Sequence, residues 1–245
     1  MDQFVRSRLL LGSAGMERLS RARVAVFGLG GVGGAAAEAL VRSGIGAIDI
    51  FDNDRVALSN LNRQIIALHS TLGMEKTQAM KARLLDINPD LRVEARSLFY
   101  LPENADQVDL SVYDYVVDAI DTVKAKLELV CRAQALGVGI ISAMGAGNKL
   151  DPTQLKVADI YETSVCPLAR VMRGELRRRG IPSLKVVYST EEALSPKAEE
   201  AAPGEEVPPA GSSRRSTPGS MAFVPPVMGM IMAGEVVRDL AFVKG

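Results

Sequence analysis

The feature that most constrains this chain is a run of glycines directly after a short apolar segment. Residues 24–27 are β-prone and apolar, as in a strand buried on both faces of a parallel sheet, and residues 35–41 have helical composition. Between them lies Gly28-Leu-Gly-Gly-Val-Gly33, which fits the pattern GxGxxG. Its first glycine permits a sharp turn, its second admits a phosphate and its third allows close helix packing. We therefore predict a strand, turn and helix with a phosphate site at the helix N-terminus.

The glycines alone do not identify a ligand, and a purely structural glycine turn is the alternative. The flanking strand and helix favour a nucleotide, so Gly28, Gly30, Gly31 and Gly33 are candidate nucleotide-binding residues. Asp52-Asn-Asp54 closes a second predicted strand, residues 47–51, about twenty residues beyond the glycines, where this kind of unit places an acid on a ribose hydroxyl. An Asx turn is the alternative, but the position favours ribose binding by Asp52 or Asp54.

Strand and helix signals alternate through the first 150 residues, and further strand and helix signals follow. We predict an α/β fold with a Rossmann-like, doubly wound, mostly parallel sheet and a C-terminal extension of extra strands and helices. Residues 1–245 are expected to form a single domain, with an N-terminal helical arm at 1–22 and a flexible loop at 195–220. The predicted strands are 24–27, 47–51, 91–96, 115–117, 138–144, 156–161 and 184–188. The main predicted helices are 35–41, 73–87, 123–135, 167–179 and 225–242.

Composition limits the partners and the compartment. The formal net charge is zero, so contact with nucleic acid would need a local basic patch. The two cysteines, Cys131 and Cys166, lack the paired CxxC spacing of a zinc site, so we expect no zinc and a reducing, cytoplasmic location. The apolar run at 221–233 is interrupted by prolines and too short for a bilayer, so we expect no membrane segment.

Cationic and amide side chains cluster after the second strand. Ser59-Asn-Leu-Asn-Arg-Gln64 occupies a place where an ordinary dinucleotide-binding fold continues with a plain amphipathic helix. Lys76 falls in the first turn of the next predicted helix, where a cation opposes the helix dipole. Lys76 is therefore either a surface residue without a function or a residue that binds an anion. The nearby Arg63 favours the anion-binding interpretation.

Two further groups of charged residues are candidates. Asp118-Ala-Ile-Asp121 ends the fourth strand, where open α/β sheets bind ligands, although the pair can instead cap the following helix. Arg170, Arg173 and Arg177 recur at offsets of three and seven and would share one helix face, which makes them a candidate nucleic-acid patch. The alternative is that the later arginines complement the helix C-terminus.

Taken together, the five motifs beginning at Gly28, Asp52, Ser59, Gly73 and Asp118 resemble the adenylating superfamily of ThiF, MoeB and the ubiquitin-activating enzymes. Beyond the nucleotide half, three stretches look like the tRNA threonylcarbamoyladenosine dehydratase branch. They are Met144-Gly-Ala-Gly-Asn-Lys-Leu-Asp-Pro-Thr-Gln154, Thr163-Ser-Val-Cys-Pro-Leu-Ala-Arg170 and Val187-Tyr-Ser-Thr-Glu191. In that branch ATP adenylates a carboxylate beside the anticodon, and the adenylate then cyclises with loss of AMP.

The resemblance also implies roles for single residues. The glycines would hold the ATP phosphates, and Asp121 would bind magnesium and take part in catalysis. Arg6 aligns with an arginine that crosses a dimer interface, so we expect a homodimer in which Arg6 acts in trans. The triphosphate would be contacted by Asn60, Arg63, Gln64 and Lys76, and Asn62 and Asp118 complete the candidate nucleotide site.

Two alternative functions stay open at this point. An activator of a small sulfur-carrier protein would share the nucleotide half, but the zinc cysteines usual in such relatives are missing and Val186 stands where one branch member has a cysteine. A NAD-dependent oxidoreductase is supported by the glycines and Asp52, yet nicotinamide chemistry has no triphosphate for Arg63 and Lys76 to neutralise. Cys166 lies just before the predicted helix at 167–179, and a packed or incidental role is favoured over a reactive one. No sulfur-delivery partner is indicated.

Overall fold

The computed structural model describes residues 2–195 and 218–242, and these are organised around one seven-stranded sheet. The strand order is β3-β2-β1-β4-β5-β7-β6, with every neighbouring pair parallel except β6 and β7. This confirms the doubly wound, mostly parallel sheet with additional C-terminal strands. The strands are β1 (Arg23–Phe27), β2 (Ala47–Phe51), β3 (Arg92–Arg96), β4 (Tyr115–Asp118), β5 (Gly139–Ala143), β6 (Leu155–Asp159) and β7 (Lys185–Ser189).

Helices cover both faces of the sheet. The first core lies under α1, α2, α3 and α6, and the second under α4 and α5. Alternation along β1 divides its side chains, since Val24 and Val26 enter the first core and Ala25 and Phe27 the second. The helices are α1 (Val5–Arg21), α2 (Gly31–Arg42), α3 (Lys76–Ile87), α4 (Val123–Leu136), α5 (Pro167–Arg178) and α6 (Val224–Ala241). None of these described helices combines the length and apolarity needed to cross a membrane.

Several boundaries differ from the sequence expectation. Helix α2 begins at Gly31 and not at residue 35, because the glycines themselves form its first turn. The N-terminal arm is one element kinked at Gly12, whose φ of 68° breaks the helical geometry. The strand expected over 156–161 stops at Asp159, where Ile160–Glu162 forms a 3-10 turn. The loop predicted at 195–220 falls almost wholly outside the described residues.

Helix α6 crosses α2 at very short range. A Cβ atom on Gly229 would lie 2.1 Å from the Val32 carbonyl oxygen, so only glycine fits at the crossing. At the start of α6, a Cβ on Gly31 would lie 2.9 Å from the Pro225 Cβ. The final helix therefore supports the glycine turn directly.

A fully buried ion pair joins β4 to α4. Nζ of Lys126 lies 2.9 Å from Oδ2 of Asp118, and both side chains have zero solvent exposure. The Ser142 hydroxyl donates to the same Asp118 oxygen at 2.6 Å, and Lys126 also donates to the Ile120 carbonyl at 3.1 Å. The hydrogen bonds satisfy the remaining lone pairs, which offsets part of the desolvation cost.

Replacing Lys126 by methionine should destabilise the protein by about 3–5 kcal/mol, because it leaves the Asp118 carboxylate buried without a counter-charge. Urea denaturation monitored by circular dichroism measures this loss. Lys124→Met on the exposed side of the same helix is the matched control, expected within about 0.5 kcal/mol of wild type. Equal midpoints for the two variants would contradict the structural role of the pair.

Candidate active site

A cleft of about 590 Å³ opens where β1, β2 and β4 reach their carboxyl ends. This is the edge at which open α/β sheets bind ligands. Most of the predicted site residues lie on its wall. They are Gly28, Gly30, Gly31, Asp52, Asp54, Asn60, Arg63, Gln64, Lys76 and Asp121.

The glycine turn forms the floor of the cleft by backbone contact. Gly28 has a φ of +87°, and a Cβ there would lie 2.7 Å from the Ala119 carbonyl oxygen. A Cβ on Gly33 would lie 1.8 Å from the Gly28 carbonyl oxygen, so Gly33 packs α2 onto β1 and does not line the cleft. The first N–H groups of α2 have no intrahelical acceptor, which suits them to an anion.

The two aspartates after β2 have different surroundings. Asp52 accepts a hydrogen bond from the backbone N–H of Leu29 at 2.7 Å and another from that of Asp54 at 2.8 Å. It thereby ties the glycine turn to the end of β2. The Asp54 side chain is 59% exposed and accepts from Nζ of Lys76 at 2.6 Å. Of the two, Asp54 offers the more accessible carboxylate.

Lys76 and Arg63 bring positive charge to the cleft. The Lys76 side chain is only 5% exposed, and its ammonium lies 3.9 Å from Asp52 in addition to its bond with Asp54. Nη1 of Arg63 donates to the Ser59 carbonyl at 2.9 Å. Beside it, the buried Oε1 of Gln64 accepts no hydrogen bond from any described residue. The cleft therefore combines cations with an unused amide oxygen.

The carboxylates after β4 separate into two roles. Asp121 is exposed, lines the cleft and accepts from the Thr122 hydroxyl at 3.2 Å. Helix α4 has Thr122 at its N-cap and no side-chain capping bond, so Asp121 does not cap it. Asp118, expected to bind nucleotide, lies outside the cleft because its carboxylate is used by Lys126 and Ser142 in the core.

Two other predicted nucleotide contacts, Asn62 and Arg6, lie outside the cleft. Asn62 is adjacent to Arg63 but does not line the wall. Arg6 is exposed on α1 and also lies outside the lining.

An aromatic cluster of the second core lies beneath the cleft and is absent from the sequence expectation, and the side chains of Phe27 and Phe51 in it are fully buried. The rings of Phe27 and Phe51 are stacked with centroids 4.3 Å apart, and Tyr100 meets Phe27 edge-on at 5.0 Å. Burial raises the pKa of the Tyr100 hydroxyl to about 12, so it stays neutral at physiological pH. Phe99, 47% exposed, also lines the cleft. The missed signal was that Phe27 and Phe51 are the last residues of adjacent parallel strands.

The three arginines on α5 differ in their contacts. Nη1 of Arg173 donates to the carbonyl of Thr163 at 2.8 Å and to its hydroxyl. Arg177 lies over the Tyr161 ring at 5.3 Å. Arg170 is exposed and makes no side-chain hydrogen bond or ion pair with any residue in the described ranges. The Arg173 side chain therefore joins α5 to Thr163, whereas the Arg170 side chain is accessible.

Known proteins are similar in sequence to this chain over most of its length. A Bacillus subtilis protein, tRNA threonylcarbamoyladenosine dehydratase, is 42% identical over 241 residues, which is 98% of this chain and 95% of the relative. The dehydratase of the same name from Escherichia coli is 37% identical over 198 residues, covering 78% of this chain and 74% of the relative.

Solved structures agree with these sequence matches. The E. coli tRNA N6-threonylcarbamoyladenosine dehydratase in complex with ATP has a TM-score of 0.84 and 32% identity, and the match covers 97% of this chain and 93% of that one. A sequence model described as the ThiF family matches residues 4–242. The resemblance drawn from the motifs is thereby confirmed, and the chain belongs to the ThiF family.

Proposed function

We propose that this chain uses ATP to cyclise threonylcarbamoyladenosine in tRNA through a carboxyl-adenylate, with net loss of water. The observation that carries the proposal is the similarity to the B. subtilis dehydratase, which runs through both halves of the chain. A glycine turn alone occurs in many nucleotide-binding folds, so the C-terminal half makes the assignment specific.

The cleft residues support adenylation. When a carboxylate oxygen attacks the α-phosphorus of ATP, negative charge builds on the phosphoryl oxygens and on the departing pyrophosphate. Arg63 and Lys76 would stabilise that charge most strongly in the transition state, which accelerates the step. The exposed ring of Phe99 suits a planar base, and Asp54 is placed for a ribose hydroxyl.

The charge of the cleft favours a divalent cation as a companion to ATP. The charged lining residues are two cations, Arg63 and Lys76, and three carboxylates, Asp52, Asp54 and Asp121, a net charge of minus one. A bound triphosphate would add further negative charge and would be repelled by the net negative charge of this lining. Asp121, exposed and without an ion pair among the described residues, fits magnesium, which binds one or two carboxylates together with phosphate oxygens.

Ring closure needs no nucleophile from the protein, because a group within the modified side chain can displace AMP from the adenylate. The cysteines agree with this view. Cys166 is 2% exposed and packed in the second core, and burial raises the pKa of the Cys131 thiol, which disfavours its thiolate. Activation of a carrier protein through a thioester is correspondingly disfavoured. A tRNA substrate is consistent with a cytoplasmic location.

We infer a homodimer in which Arg6 reaches the partner's cleft. Leu9 and Leu10 on α1 are 82% and 83% exposed, an unusual state for leucine that contact with a second copy would relieve. Arg6 is exposed on the same helix. A guanidinium entering the partner's cleft would offset the net negative charge of its lining, and its planar fork suits phosphate oxygens.

Incubating tRNA that carries uncyclised threonylcarbamoyladenosine with the protein and ATP should yield AMP and a modified nucleoside that is lighter by one water. Mass spectrometry of the digested tRNA measures this loss. Arg63→Ala and Lys76→Ala should each lower AMP formation about a hundredfold, from loss of one charge-stabilising group. Lys156→Ala, on the exposed edge strand β6, is the control and should be fully active. AMP formation without a cyclic nucleoside would contradict the proposal and favour carrier activation.

Mixing Arg6→Ala protomers with Lys76→Ala protomers should restore activity if Arg6 acts in trans, since each mixed dimer contains one intact site. Random exchange makes half of the dimers mixed, so about one quarter of wild-type activity is expected. Each variant alone should be nearly inactive. If subunits exchange, as checked by differently tagged copies, and no activity returns, Arg6 does not act across the interface.

Changing Arg170 and Arg177 together to alanine should weaken tRNA binding and flatten its salt dependence, because fewer phosphates are neutralised. Affinity for ATP should not change. Binding measured by fluorescence anisotropy across salt concentrations tests this, with Arg21→Ala on the exposed end of α1 as the control. An unchanged salt slope would move the tRNA surface away from α5.

A further inference from the structure

The Asn62 amide joins two groups that few side chains can join. Its Oδ1 accepts from Nη1 of Arg63 at 2.9 Å, and its Nδ2 donates to the Ser220 carbonyl at 2.9 Å. A guanidinium only donates and a carbonyl only accepts, so the residue between them must do both. A primary amide meets this requirement, whereas a carboxylate or an alkyl side chain does not.

The Ser220 end of this bridge is itself held in place. The Gly219 N–H donates to Oδ1 of Asn148 at 2.6 Å, and the Asn148 N–H donates to the Gly219 carbonyl at 2.7 Å. Asn148 has a φ of 59°, in the left-handed region that asparagine tolerates better than most residues. Its carbonyl also accepts from Leu194 at 2.8 Å. Asn148 thereby sets the position of the chain that presents the Ser220 carbonyl.

At the Arg63 end, the hydrogen bonds concentrate on one nitrogen. Nη1 donates both to Asn62 and to the Ser59 carbonyl. Within residues 2–195 and 218–242, Nε and Nη2 of Arg63 donate to no protein acceptor. One nitrogen of the guanidinium is therefore held by the protein. The other two nitrogens, Nε and Nη2, can donate to an anion in the cleft that Arg63 lines.

We propose that Asn62 is a positioning residue that orients the Arg63 guanidinium, with Asn148 as its anchor through Gly219 and Ser220. This replaces the expected direct contact of Asn62 with nucleotide. The inference rests on the proposed binding of ATP in this cleft. Orientation is valuable here because a guanidinium fork binds phosphate oxygens only over a narrow range of angles.

A double-mutant cycle in ATP affinity tests the proposal. Asn62→Leu, which removes both amide hydrogen bonds, should weaken binding of ATP with magnesium about tenfold by isothermal titration calorimetry. Asn62→Asp should also weaken it, since a carboxylate neutralises Arg63 and cannot donate to Ser220. In an Arg63→Ala background Asn62→Leu should cost nothing further, because a residue that acts only through Arg63 has lost its target.

Gln134→Leu is the matched control. The Gln134 amide also donates to a carbonyl that is distant in sequence, that of Ser183 at 3.1 Å, but Gln134 lies on α4 and does not line the cleft. It should leave ATP affinity unchanged. An Asn62→Leu loss that persists in the Arg63→Ala background, or an unchanged affinity in Asn62→Leu alone, would overturn the positioning role. Wild-type protein that binds ATP but cyclises no nucleoside would contradict the proposed reaction alone, whereas failure to bind ATP would overturn both.

Discussion

Direct backbone contact at the glycine turn is the constraint on which the site depends. The Gly33 position touches the Gly28 carbonyl, and Gly28 touches the carbonyl of Ala119 beyond β4, with no side chain between them. The ends of β1 and β4 and the start of α2 can therefore meet at one point. Asp52 then bonds to Leu29 within the turn, which fixes the end of β2 against it. The cleft is the space that these contacts leave open.

One of the two cations in that space, Lys76, is already paired with carboxylates of the protein. Lys76 is almost fully buried and lies between Asp54 and Asp52, because a buried ammonium without a counter-charge would be costly. An incoming phosphate must therefore compete with carboxylates for the same ammonium. Such a site discriminates against weakly charged anions, because only a strongly charged ligand gains more than the internal pairs lose.

Local sequence patterns predicted the elements well and their pairing partners poorly. Strand β2 has the predicted bounds, and Lys76 lies in the first turn of α3 as predicted, although α3 begins at Lys76 and not at residue 73. Asp118 and Asp121 look equivalent in sequence, but Lys126 enters the core on the side of Asp118 and leaves Asp121 exposed. Asn62 was assigned to the nucleotide site, but its amide donates to the Ser220 carbonyl, 158 positions away. Contacts of that range leave no periodic signal.

Helix α6 has a consequence for the order in which the protein forms. It packs on α2 and against Gly31, and Nε of Arg18 donates to the Ala241 carbonyl, 223 positions away along the chain. During synthesis the amino-terminal half emerges first, but the surface of α2 stays uncovered until α6 has also left the ribosome. Closing so long a loop is entropically expensive and slow. The glycine turn that α6 supports at Gly31 therefore reaches its final packing only after every residue that lines the cleft has been synthesised.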